Sequence, residues 1–264
     1  MKPVFLLTFI SLIVLSCSPY QKALKSEDMS LKYHMADSLY NVGKFKKALK
    51  LMEQLVPSYR GKPQGEKLMY LYSDTFYQLG DHYLAGYQFD RFTSSYPNSE
   101  KAEEAAFKAA KSYYELSPRF SLDQKETYTA LDKLQAFVTK YPDSEYLSDA
   151  NKLVQELTEK LEEKSFKIAK QYYTISDYKA AIAALDNFLL DYPGSKYRQE
   201  AYYLRFLAAY DLAIRSIPSL VDERLDTAKQ YYGMFKRYYP ESEMHQDAEK
   251  ILQDIDKRLQ NKEV

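Results

Sequence analysis

FTSSYPNS at residues 92–99, FVTKYPDS at 137–144, FLLDYPGS at 188–195 and FKRYYPES at 235–242 are four copies of one phrase, FxxxYPxS. The Phe and the Tyr four residues on share one face at the end of a helix, because side chains at that spacing are neighbours. Pro97, Pro142, Pro193 and Pro240 then stop the helix, since proline has no amide hydrogen and its ring clashes with the preceding turn. The Ser two residues later is suited to cap the next helix. Four identical stop-and-restart signals at intervals of a few tens of residues predict an array of stacked helical hairpins.

The chain between these signals supports that reading. It is rich in Ala, Leu, Lys and Glu, has seven glycines in 264 residues and shows almost no strand-like alternation, which is an all-α composition. The tetratricopeptide (TPR) pattern of 34 residues puts small residues at positions 8 and 20, large apolar ones at 11, 24 and 27, and Pro at 32. Repeat 2 matches it with Ser73, Phe76, Gly80, Ala85, Phe89, Phe92 and Pro97. Repeat 1 supplies Ala36, Leu39, Gly43, Phe45, Ala48, Met52 and Leu55, and its early Pro57 predicts a helix one turn short. Repeat 4 supplies Ala169, Tyr172, Tyr178, Ala181, Leu185 and Phe188.

Successive motif prolines are 45, 51 and 47 residues apart, so residues beyond 34 must be placed. In repeat 3, between Tyr113 and Ala130, Leu116–Gln124 reads as a lengthened hairpin loop, and in repeat 5 Ile217–Asp222 with Pro218 reads likewise. Ser144 to Thr174 contains no Pro or Gly and keeps a three-four apolar spacing, which predicts one helix of about thirty residues. Glu243–Asn261 reads as a last, capping helix. The expected fold is all-α: five TPR-like hairpins stacked as a right-handed solenoid with a C-terminal capping helix.

The N-terminus is an export signal. Lys2 precedes a twelve-residue apolar run, Val4–Leu15, that is too short to span a bilayer. ValLeuSerCys at 14–17 resembles a lipobox, which implies that Cys17, the one cysteine in the chain, becomes the lipid-modified first residue. The alternatives are an uncleaved anchor or an ordinary signal peptide with a cysteine nearby by chance. Residues 1–16 are then a lipoprotein signal peptide, 17–28 a lipidated tether broken by Pro19, 29–143 repeats 1–3, and 144–264 the long helix, repeats 4–5 and the capping helix. After Cys17 the chain carries 36 basic and 37 acidic side chains, a balance that argues against a nucleic-acid partner.

The lipobox, five hairpins with FxxxYPxS endings, the loop in repeat 3, the long helix after it and the terminal helix together resemble the BamD (YfiO) family of outer-membrane assembly lipoproteins, over essentially the whole mature chain. The resemblance implies a periplasm-facing subunit, anchored in the outer membrane by lipid on Cys17, that docks on the POTRA domains of a BamA-like barrel and helps insert outer-membrane proteins. The alternative is a periplasmic adaptor of the Tol-associated, cell-envelope type. Those usually carry an N-terminal coiled coil and no lipobox, the reverse of this chain.

Catalysis finds no support in the residues. His34, His82 and His245 have no ligand spacing, GKPQGEK at 61–67 lacks the order of a phosphate loop, and no GxSxG occurs. No cofactor or metal is expected, and the chain reads as a non-enzyme. A groove is expected instead, because positions 5, 9 and 12 of each first helix return to one side. These are Tyr33, Asp37 and Tyr40, then Tyr70, Asp74 and Tyr77, then Phe107, Lys111 and Tyr114, then Phe166, Lys170 and Tyr173. The tyrosines would stack on extended, aromatic-rich segments of unfolded barrel proteins, and Lys111 and Lys170 would favour a free carboxylate. Packing is the alternative role for any one of these rings in a chain with 27 tyrosines.

Overall fold

The computed structural model describes residues 18–260, and every element within them is helical. The signal peptide and Cys17 lie outside the described residues. In chain order the helices are α1 (Pro19–Lys25), α2 (Met29–Asn41), α3 (Phe45–Tyr59), α4 (Gly65–Gln78), α5 (His82–Ser95), α6 (Ala102–Glu115), α7 (Lys125–Lys140), α8 (Leu147–Thr174), α9 (Tyr178–Asp191), α10 (Arg198–Ile214), α11 (Pro218–Tyr238) and α12 (His245–Gln260). The chain forms two compact units. Among the described residues, one holds 18–118 with Lys125–Val154, and the other holds Arg119–Gln124 with 155–260.

All four motif copies build the same corner. The amides of Tyr96, Tyr141, Tyr192 and Tyr239 bond back to the carbonyls of Phe92, Phe137, Phe188 and Phe235 at 2.8–3.0 Å, closing each helix. Tyr96, Tyr192 and Tyr239 leave the α region with φ of -131°, -125° and -135°, as a residue before proline must. Their Ser does not sit at the N-cap itself. Ser99, Ser144, Ser195 and Ser242 stand one turn ahead and accept the amide two residues on, at 3.1–3.3 Å, shaping the turn into the next helix. Three of them also clasp the open end of their own hairpin: Ser99 to Glu66 (2.6 Å), Ser144 to Glu103 (2.5 Å) and Ser242 to Gln199 (2.8 Å).

In the first unit, α2 packs on α3, α4 on α5 and α6 on α7, with each pair also packed on the next. The core is Leu51, Met52, Leu55, Leu68, Phe76, Phe89 and Phe92. In the second unit α9, α10 and α11 pack in succession, and α12 lies on α11 and α10 through Ala248 and Ile255. The small positions of the repeat register, Ala36, Ser73, Ala110 and Ala169 in the first helices and Ala48, Ala85, Ala130, Ala181 and Ala228 in the second, are at most 1 % exposed. They sit where helices touch.

The turn inside each short hairpin is also shared. Gly43 and Gly80 adopt φ of +72° and +76°, and the amides of Lys44 and Asp81 reach back to the carbonyls of Leu39 and Phe76, the Schellman arrangement. In repeat 4 Ser176 holds the same place at φ +65°, with the Asp177 amide on the Tyr172 carbonyl. Asp81 and Asp177 then cap α5 and α9.

Several sequence expectations are corrected. Pro57 does not shorten α3, which carries it inside the last turn, at the loss of one backbone bond to the Glu53 carbonyl, and continues to Tyr59. Pro218 does not lie in a loop. It occupies the first turn of α11, where proline is favoured, so repeat 5 spends its extra residues on the long helices α10 and α11. Pro19 likewise starts α1 rather than breaking the tether, and α1 packs its Ala23 into the core. The long helix is 28 residues, Leu147–Thr174, and the 116–124 loop separates α6 from α7 as expected.

Candidate functional site

The first helices of the hairpins bring most of the expected groove residues of the first unit together, but in three distinct states. Position 5 packs: Tyr33 stacks on Tyr59 with centroids 5.4 Å apart, Phe107 stacks on Tyr146 at 4.8 Å, and Tyr70, 9 % exposed, sits edge-on to Phe92. In the second unit Phe166 stacks on Tyr197 in the same way. Each ring fills the space between its own helix and the corner that ends its hairpin.

Position 9 carries charge. Asp74 is 1 % exposed, and burying a carboxylate is costly unless it is paired and hydrogen-bonded. Its partners come from three repeats: Tyr40 Oη donates to one oxygen (2.5 Å), Lys108 Nζ sits 2.6 Å from the other, and Gln78 adds a bond at 3.2 Å. Lys108 also contacts Tyr70 Oη (3.1 Å) and Glu104 (2.9 Å), while Tyr70 donates to Glu104 at 2.5 Å and Lys101 pairs with Glu104 from outside. Asp37 is half-buried and pairs with Lys67 at 2.8 Å.

The network fixes its own protonation. Burial alone would raise the Glu104 carboxyl, yet hydrogen bonds from Lys101, Tyr70 and Lys108 outweigh it and hold the group down at about 2. Burial opposes the charge on Lys108, but Asp74 and Glu104 together push its ammonium well above the ordinary lysine value. Tyr40 and Tyr70 are raised by burial and by the carboxylates they donate to. Glu104 and Lys108 therefore stay charged at neutral pH.

The face that remains accessible is formed by the half-buried Tyr33, Asp37, Tyr40, Tyr77, Lys111 and Tyr114. Tyr77 stands edge-on to Phe89 and His82. Lys170 and Tyr173 belong to the second unit, where Lys170 pairs with Glu200 at 2.6 Å and Tyr173 donates to Asp211 at 2.9 Å. Tyr210 repeats that arrangement with Asp254, at 2.6 Å. Glu104 and Lys108 were not singled out in the sequence. Their signal was the spacing: Tyr40 to Asp74 and Tyr70 to Glu104 are both 34 residues apart, the repeat length itself.

A family model described as YfiO: Outer membrane lipoprotein matches the chain over residues 25–173 and again over 162–264. A search of curated proteins finds no match.

Proposed function

Because the chain belongs to the YfiO outer membrane lipoprotein family, we propose that it is a non-catalytic scaffold of β-barrel assembly, held by lipid on Cys17 and facing the periplasm. Its hairpins would stack as a right-handed solenoid of five TPR-like repeats closed by α12, docking on the POTRA domains of a BamA-like barrel and aiding insertion of outer-membrane proteins. The observation that carries this reading is the pair of family matches, which together span residues 25–264 and so include both compact units. No helix among the described residues is long and apolar enough to cross a membrane, which agrees with attachment by a lipid at the N-terminus.

The accessible face of the first unit would receive an extended peptide. Tyr33, Tyr40, Tyr77 and Tyr114 offer rigid amphipathic rings, and Lys111 offers a cation for a terminal carboxylate. Tyr70 and Asp74, being enclosed, would hold this face in shape from beneath. Affinity purification from detergent-solubilised membranes tests the proposal. Recovery of a POTRA-bearing barrel is the expected result, and recovery of Tol or peptidoglycan-associated proteins in its place would overturn it.

A further inference from the structure

Charge is unevenly spread along a chain that is almost neutral overall. Residues 18–50 hold seven lysines against three carboxylates, net +4, which leaves residues 51–264 at net -5. Six of those lysines, Lys22, Lys25, Lys44, Lys46, Lys47 and Lys50, are exposed and form no ion pair among the described residues, whereas Lys67, Lys101, Lys229 and Lys250 each have a carboxylate partner. Two of the nearby acids serve as helix caps: Asp28 accepts the amides of Ser30 and Leu31, and Asp81 accepts that of Leu84.

The same lysines frame apolar surface. Lys44, Lys46 and Lys47 line a notch with Gly43, Phe45 and Leu79, and Val42 beside it is 63 % exposed. Lys47 also ties the notch to the start of the mature chain, its ammonium lying 5.2 Å from the ring of Tyr20 on α1. Tyr20 is three residues from Cys17, a span of at most about 11 Å of extended backbone. Ala23 is fully enclosed, so α1 cannot swing away as a free tether.

From these features we infer that the lysine-rimmed notch of α1 and the α2–α3 turn rests on anionic phospholipid headgroups beside the anchor, fixing how the first unit stands on the bilayer. The inference rests on Cys17 as the lipid attachment site. Juxtamembrane lysines are attracted to an anionic surface and lose that attraction within a Debye length, so only residues tethered this close gain from it. Exposed Val42 and the notch would enter the headgroup layer while the ammoniums stay in water.

The test uses the full lipidated protein reconstituted in vesicles of phosphatidylcholine alone or mixed with phosphatidylglycerol, with lysines labelled by an amine-reactive ester and read by mass spectrometry. Lys44, Lys46 and Lys47 are expected to label several-fold less on the anionic vesicles, to recover in high salt, and to do so while Lys236 and Lys250 stay constant. Equal labelling on both vesicles, with the protein floating with them, overturns the inference and leaves the lipid anchor standing; an acidic protein surface would then be the partner of these lysines. Failure to float with either vesicle overturns the anchor at Cys17 and this inference together.

Discussion

Lys108 Nζ lies 2.6 Å from the Asp74 carboxylate, from a helix one repeat further on, and Asp74 is almost wholly enclosed. Removing one member of such a pair strands the other as a buried charge. Lys108→Met, which keeps the aliphatic stem, is expected to cost about 3–5 kcal/mol, and pairing it with Asp74→Leu should recover most of that loss. Urea unfolding followed by circular dichroism measures both. An unmoved midpoint in the single variant would show that the network does not hold repeats 2 and 3 together.

Glu104 links stability to acid. Its carboxyl is held at about 2 against an ordinary 4.5, so its contribution is complete above pH 4.5 and disappears as the pH falls toward 2. At neutral pH that contribution is about 2–3 kcal/mol, after allowance for its partial exposure. Glu104→Gln should be less stable at pH 7 and show a flatter melting temperature between pH 5 and 2 (about the window set by the two values). Parallel acid profiles for the two proteins would contradict the assignment.

Ser176 pays a conformational penalty that Gly43 and Gly80 do not. A non-glycine residue in the left-handed region costs about 1–2 kcal/mol, against roughly 0.5–1 kcal/mol of extra entropy for glycine. Ser176→Gly should therefore raise stability by up to about 1 kcal/mol despite losing the Tyr178 hydroxyl contact at 3.2 Å. Gly80→Ala should lower it by a similar amount. Calorimetry with both changes in the same direction would refute the argument.

The accessible face of the first unit has a binding test that separates it from docking. Tyr33→Ala and Tyr77→Ala are each expected to weaken a barrel protein's C-terminal peptide by about 1 kcal/mol in fluorescence anisotropy, with capture of the barrel partner retained. Lys111→Glu should abolish any preference for a free over an amidated C-terminus. Identical affinities for both peptides across wild type and all three variants would return these rings to packing alone.

Much of the architecture was legible because its causes are local. FxxxYPxS contains the helix stop, the turn and the restart within eight residues, and the small positions of the repeat register are dictated by helices in contact. Pro19 and Pro218 misled because proline in the first turn starts a helix rather than breaking it, its amide having no partner there in any case; Pro57 misled because α3 carries it at the loss of one backbone bond. The Lys108 network was hidden for another reason. Its bonds between repeats, Tyr40 to Asp74, Tyr70 to Glu104 and Asp74 to Lys108, span the repeat length rather than a helical turn, and an isolated Lys or Glu on a helix reads as a solvated face until the neighbouring repeat is in place.

The serine clasps have a consequence for how this chain tolerates change in length. Ser144 meets Glu103, and Ser242 meets Gln199, at the open end of hairpins whose opposite ends carry the 116–124 loop and the lengthened α10 and α11. Repeats 3 and 5 thus each have one end that is gauged and one that is free to grow. In these two repeats the extra residues accumulate at the free end, where they displace nothing that the next hairpin must recognise, so motif spacings of 45 and 47 leave the corner geometry constant, while the 51-residue step is lengthened within α8 instead.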